Sequence, residues 1–185
     1  MPNNRRLVVA ENISANGVIE FLDPWFDPAQ EDNDLLEVVR AHTATEGALL
    51  LGRQTFEDFR GYWPLQTDDT TGFTAHLNQV QKYVLSSTLS DPAWDNTTVL
   101  SGPLEEEVRT LKATPGGEIG ITGSISVVHA LMRADLVDEY RLFVYPVLTS
   151  RGRNLVPDGL SMLDLRLEDS QSFRSGVVLL TYVRA

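Results

Sequence analysis

The chain has 185 residues, no cysteine and a formal net charge of −11. Disulfide frameworks, thiolate metal centres and cysteine nucleophiles are therefore excluded, and the net negative charge, with no Lys/Arg-rich run to offset it, argues against nucleic acid and anionic membrane surfaces as partners. A hydrophobic fraction of 42%, no apolar run near the roughly 20 residues that span a bilayer, no linker-like stretch and no secretory h-region together predict one soluble domain, 1–185, in the cytoplasm.

Short segments rich in Val, Ile, Leu and Tyr alternate with helical patterns, which predicts a layered α/β domain. The first strand is expected near 5–12. DLLEVVRA then places Leu35, Leu36, Val38 and Val39 on one helical stripe. GALLL (47–51) is a continuous apolar run, the pattern of a mid-sheet strand covered on both faces. After it Gly52 permits a tight turn, and the T-x-x-D spacing of Thr55 and Asp58 predicts a capping box at a helix start. PLQTDDTTGFT reads as an acidic connecting loop. Strands follow near 81–86 and 97–100, and SGPLEEEVRTLK forms a helix with Pro103 near its start and Lys112 near its end. EIGIT, in a strand expected near 117–121, is a second mid-sheet pattern, and SISVVHALMRADL turns Ile125, Val128, Leu131 and Met132 inward from a helix. Strands near 138–147, 163–172 and 176–184 complete the chain, the last two joined as an antiparallel hairpin by a Ser-Gly turn.

Three junctions hold the candidate chemistry. In LLLGRQTFEDF a strand end meets a helix start, which exposes unpaired backbone N–H groups, and Arg53 adds a full positive charge. On its residues alone the segment reads first as a turn with a capping Thr55 and a solvated Arg53, with a phosphate site as the alternative. EIGITGSISVVHAL repeats the form at Gly123 and Ser124 without the G-x-G-x-x-G pattern; close packing is the other use of that glycine. KYVLSSTLSD ends in Ser86, Ser87 and Thr88, hydroxyls that bind a phosphate or satisfy a local turn. The three histidines have no i,i+4 spacing, so no metal site is expected. Trp25 and Trp63 sit in Pro-containing loops, as pocket walls or as covers of the core.

Taken in order, VVAENISANGVIE, ALLLGRQTFEDF, KYVLSSTL and EIGITGSISVVHALMRADLVDEYRLFVYPVLTSRGRNL resemble the dihydrofolate reductase-like superfamily. Within it, the chain is similar to the group containing the reductase domain of the bifunctional riboflavin-biosynthesis deaminase-reductase, the RibD C-terminal-like proteins. The resemblance implies a three-layer α/β fold whose central mixed, mostly parallel sheet is flanked by helices and ends in an antiparallel hairpin. It also implies NADPH as cofactor, a homodimer paired through strands such as EYRLFVYPVL, and hydride transfer to a small heterocycle of pteridine or pyrimidine type. Carried over by position, Gly52, Arg53, Gln54 and Thr55 cradle phosphates, and Leu85, Ser86 and Ser87 lie at the adenosine end with its 2′-phosphate. Gly123, Ser124 and Ile125 meet the pyrophosphate and nicotinamide side, while Asn12, Asn16, Gly17 and Ile19 flank the nicotinamide. Where relatives have Ser-x-Asp-Gly this chain has Ser14-Ala15-Asn16-Gly17, an amide for a carboxylate. Asp34 corresponds to the acid that touches the pterin in dihydrofolate reductases, or is a first-turn acid favoured by the helix dipole. A riboflavin-pathway 5-amino-6-(5-phosphoribosylamino)uracil reductase would need a second cationic cluster, for which Arg151 and Arg153 are the close basic pair; a nucleotide-binding module without turnover is the rival outside the enzymes.

Overall fold

The apolar segments become eight strands in a computed structural model that describes residues 4–26 and 32–185. They are β1 (Leu7–Ser14), β2 (Glu46–Gly52), β3 (Lys82–Leu85), β4 (Thr97–Leu100), β5 (Glu118–Ile121), β6 (Glu139–Tyr145), β7 (Leu165–Ser172) and β8 (Val178–Arg184). Five α-helices are interspersed: α1 (Asn33–Thr43), α2 (Arg53–Tyr62), α3 (Phe73–Gln79), α4 (Leu104–Lys112) and α5 (Ile125–Arg133). One sheet has the order β4-β3-β2-β5-β1-β6-β8-β7. The strands from β4 across to β6 are mutually parallel, β8 pairs antiparallel with β6, and β7 antiparallel with β8.

Alternation along the strands sends side chains into two helix layers. On one face Leu7, Val9, Leu50, Ile119 and Ile121 are covered by Val108 and Leu111 of α4 and by Val128 and Leu131 of α5. On the other, Leu49, Leu51 and Val84 meet Phe56 of α2 and Leu77 of α3. Farther along that face, Phe143, Tyr145 and Leu179 are partly roofed by Leu35, Val38 and Val39 of α1. The three-layer, mostly parallel sheet with its antiparallel C-terminal hairpin is thus the fold that the resemblance implies. Charged groups at the N-terminal ends of the parallel strands are paired: Glu118 binds Arg6 and, at 2.9 Å, Arg141, while Glu139 binds Arg6 at 2.7 Å and Arg141 at 2.6 Å.

Three expectations are corrected. Thr55 does not cap α2: the helix starts at Arg53 with Gly52 as its extended N-cap, and Asp58 instead accepts from Gln54 Nε2 at 2.9 Å. Part of the supposed acidic loop is organised as an entry to α3, because the Asp69 carboxylate accepts from the backbone N–H groups of Thr71 and Thr74, both at 2.8 Å. Burial would raise the Asp69 carboxyl, but these bonds and the Thr71 hydroxyl outweigh it and hold it at about 2. Lastly, β6 lies between β1 and β8 with both edges hydrogen-bonded, so its backbone is not free to pair a second subunit.

Lys82 on β3 is fully buried. Its ammonium donates to the carbonyls of Leu77 at 2.7 Å and Val80 at 3.0 Å, closing the C-terminal end of α3, and lies 4.6 Å from the centre of the Trp94 ring. Burial lowers this ammonium to about 8. Lys82→Met keeps the stem but removes the donors and is expected to cost about 1–3 kcal/mol of unfolding free energy. Lys82→Ala adds a cavity and about 2 kcal/mol more. Urea denaturation measures both, and a Met variant as stable as the wild type would remove the ammonium from this account.

Candidate active site

Because six neighbouring strands run parallel, their C-terminal ends lie along one edge of the sheet. Gly52 ends β2 there and α2 follows at once, so the first backbone N–H groups of a ten-residue helix point out over the edge. One strand away, β5 runs through Thr122 and Gly123 into α5, whose N-cap is Ser124. The two turns are built against each other. The Gly52 N–H donates to Ser124 Oγ at 3.0 Å. A Cβ on Gly52 would meet Val127 Cγ2 at 3.1 Å, and one on Gly123, whose φ is +71°, would meet Thr55 Cγ2 at 3.2 Å. Glycine is thus required at both positions by close approach, and at Gly123 by the left-handed backbone as well. The serine that stands second in the later turn is the acceptor that joins the pair.

Beside this clasp an open groove of about 410 Å³ runs past the ends of β3 and β4. Arg53, Leu85, Ser86, Ser87, Thr88 and Gly102 line it. Arg53 is held over the groove by donating to Thr88 Oγ1 at 2.6 Å and to Glu57 at 2.8 Å. Ser86 Oγ accepts from the N–H groups of Thr88 at 3.2 Å and Leu89 at 3.0 Å, so it serves as the turn former while still lining the groove. Thr88 stands in this wall with the two serines beside it in sequence, and Ser101 and Gly102, which the sequence did not single out, belong to it as well. The available signal was the Ser-Gly after TTVL, a further strand end followed by a helix.

The segment after β1 is fixed elsewhere. Asn16 forms a two-way amide clamp on Thr149, donating to its carbonyl at 2.7 Å and accepting from its N–H at 3.2 Å, while the Ser14 hydroxyl donates to Asn16 Oδ1 at 2.9 Å. Leu155 N–H donates to the Gly17 carbonyl at 2.9 Å, and Ile19 N–H to that of Arg153 at 2.9 Å. Ile19 and Ile125 turn their side chains into the core. Asn12, half-buried, shares a sheet face with Phe143. The basic pair of this loop is already neutralised, Arg151 by Asp23 at 2.8 Å and Arg153 by Glu20 at 2.6 Å. Asp34 is not drawn to the groove: its side chain is 64% exposed beside Arg174, near the β7–β8 turn at the far end of the sheet. Trp63 packs against Phe59 and Phe73 as core cover, whereas Trp25 and Phe26 meet Tyr145 edge-on with Phe21 outside them. Glu11, absent from the sequence-level candidates, is buried on β1 behind Gly123; a lone acid inside LVVAENIS was its only trace. Among the described residues no group of acids and histidines is arranged to hold a metal ion, and no helix is long and apolar enough to cross a membrane.

A mostly parallel sheet in three layers, with two interlocked helix N-termini at the strand ends and an antiparallel closing hairpin, defines a dihydrofolate reductase-like α/β domain. The chain belongs to the RibD C-terminal domain family, which matches residues 24–179. An uncharacterized Bacillus subtilis (strain 168) protein, YyaP, is 29% identical over 193 residues, covering 98% of each chain. Two solved structures share the fold: a candidate riboflavin biosynthesis protein from Shewanella sp. PV-4 and a pyrimidine reductase-like protein from Corynebacterium diphtheriae. The first has a TM-score of 0.74 at 20% identity, covering 97% of this chain and 99% of that one. The second has a TM-score of 0.69 at 17% identity, covering 99% and 93%.

The clamp uses both ends of the Asn16 amide, one as donor and one as acceptor. An aspartate at this position still accepts from Thr149 N–H but sets a negative oxygen against the Thr149 carbonyl. Asn16→Asp is expected to cost about 1–2 kcal/mol, read as a lowered midpoint of thermal unfolding at neutral pH, with partial recovery in acid where the carboxyl regains a proton.

Proposed function

We propose that this member of the family is an NADPH-dependent reductase that delivers a hydride to a small pteridine- or pyrimidine-like heterocycle. The observation that carries this reading is the clasp of Gly52 on Ser124, which sets two helix N-termini side by side and opens onto the Arg53 groove. The residues suit the cofactor. Gly52 and Gly123 let the two turns pack closely side by side, and free N–H groups at both helix starts favour phosphate oxygens even on an acidic chain. In this reading Arg53, Gln54 and Thr55 hold one phosphate, Ser124 and Ile125 supply N–H groups to the diphosphate, and Leu85, Ser86 and Ser87 take the adenosine end. Asn12, Gly17 and Ile19 flank the nicotinamide. When bound, the dihydronicotinamide supplies the hydride, and the chain's task is to hold it against the acceptor and keep water out.

The pairing of Arg151 with Asp23 and Arg153 with Glu20 disfavours a phosphoribosylamino substrate, since its phosphate would have to displace both acids. A homodimer belongs to the proposal, with a contact other than the edges of β6. Fluorescence titration with NADPH and NADH, followed by absorbance at 340 nm with dihydrofolate and pyrimidine acceptors, tests the whole reading. NADPH binding with turnover supports it, binding without turnover on any acceptor favours the nucleotide-binding module, and no binding overturns it. Arg53→Ala is expected to weaken NADPH binding by about 1.5–3 kcal/mol, roughly ten- to a hundredfold; unchanged affinity would return Arg53 to a surface charge.

A further inference from the structure

Glu11 is an acid in an otherwise apolar setting. Parallel register puts Leu142 of β6 beside it, and Ile121 of β5, paired with Val9, sits two residues short of the point opposite. Val9 and Ile13 flank it on the same face, which Val128 and Ile125 of α5 cover. The residue is 3% exposed, and Oε1 has no hydrogen-bond partner. Carried two residues past Val9 and Ile121, the register brings Gly123, the residue that turns β5 toward α5, level with Glu11, and its N–H pulls against the effect of burial on the carboxyl. The titratable groups of the elements packed on this face are occupied or turned elsewhere. His129 of α5 contacts the Asn154 carbonyl through Nε2 at 2.9 Å, Lys112 of α4 donates to the Leu136 carbonyl at 3.0 Å, and Arg109 of α4 pairs with Glu105 at 3.2 Å. Tyr140 of β6 stands alongside Val9, and across the sheet Arg141 is paired with Glu139. No charged group acts on Glu11, and burial pushes its carboxyl up to about 8 against the opposing pull of the Gly123 N–H.

An ionised carboxylate here would stand directly behind the turn and repel an anion in front of it across a poorly solvated gap. A neutral carboxyl would leave the positive end of α5 to act alone. We propose that Glu11 is a positioning residue that couples anion binding at the Gly123 turn to protonation: the turn takes a diphosphate only while the carboxyl behind it carries a proton. The inference rests on the reading of this turn as the diphosphate site of NADPH, and it adds a proton to the binding equilibrium.

The test is NADPH titration of wild type and Glu11→Gln at pH 7 and pH 9. Glutamine is nearly isosteric, keeps an acceptor for the Gly123 N–H and does not titrate. Wild-type affinity is expected to fall roughly tenfold between the two pH values, and that of Glu11→Gln by less than about twofold. Equal losses in both proteins, or none in the wild type, would overturn the inference and leave the cofactor reading standing. No NADPH binding by the wild type at either pH would overturn both, a distinct result. Calorimetry of the wild type at pH 8 in buffers of different ionisation enthalpy needs no variant: net proton uptake on binding supports the coupling, and its absence refutes it.

Discussion

Six strands running the same way force their six following segments to leave from one edge, and every part of the candidate site depends on that constraint. A parallel strand cannot return by a hairpin, so the chain crosses back by a longer connection, mostly a helix, and a helix that follows a strand closely begins with unpaired N–H groups at that edge. In most such junctions these groups face water separately. Here β2 and β5 are neighbours, so the starts of α2 and α5 meet, and the Ser124 hydroxyl takes the Gly52 N–H between them. One glycine at each turn lets the other turn's side chains come close. The two halves of the site are thereby a single packed unit whose parts cannot shift independently.

If the cofactor reading proposed above holds, this unit is what would let a chain of net charge −11 take an anionic ligand. Most acids lie far from it or are spent on arginines: Glu118 and Glu139 at the opposite ends of the strands, Glu20 and Asp23 on the loop arginines. Arg53 is different, because its partners, Glu57 and the hydroxyl of Thr88, hold it over an open groove. Selectivity for an anion then comes from local N–H groups and one cation rather than from the overall field, which would repel it.

Much of the fold was legible in the chain because both-face burial leaves a plain mark. GALLL and EIGIT became β2 and β5 in the interior of the sheet, and the alternating C-terminal segments became β7 and β8. What escaped was whatever depended on a few polar contacts. The entry to α3 is fixed by Asp69 reaching Thr71 and Thr74, and in sequence that cluster is hard to tell from a solvated loop. The start of α2 was misplaced because a T-x-x-D spacing looks the same at a cap and inside a first turn; here the extended Gly52 brings the helix forward. Ser86, Ser87 and Thr88 were readable as a hydroxyl cluster, and the resemblance joined Arg53 to the two serines, whereas Ser101, Gly102 and Glu11 needed the register of neighbouring strands to bring them in. Asn16 was visible as a departure from the family pattern, but its clamp on Thr149 could not be read from a stretch that lies so far away in the chain.

The place of β1 in the strand order bears on how the molecule is assembled. β1 is first in the chain yet lies between β5 and β6, with Leu7 paired to Ile119 and Ser14 to Tyr145. Neither of its edges can be satisfied until most of the polypeptide has been synthesised. A strand of Leu7, Val8 and Val9 must therefore wait, with its backbone groups unpaired, for partners that arrive late. Parallel pairings of this sequence separation close large loops before they gain contacts, which slows folding and lengthens the time in which such a strand is open to aggregation. The same order that gathers the strand ends into one site thus makes the centre of the sheet wait for partners from the second half of the chain.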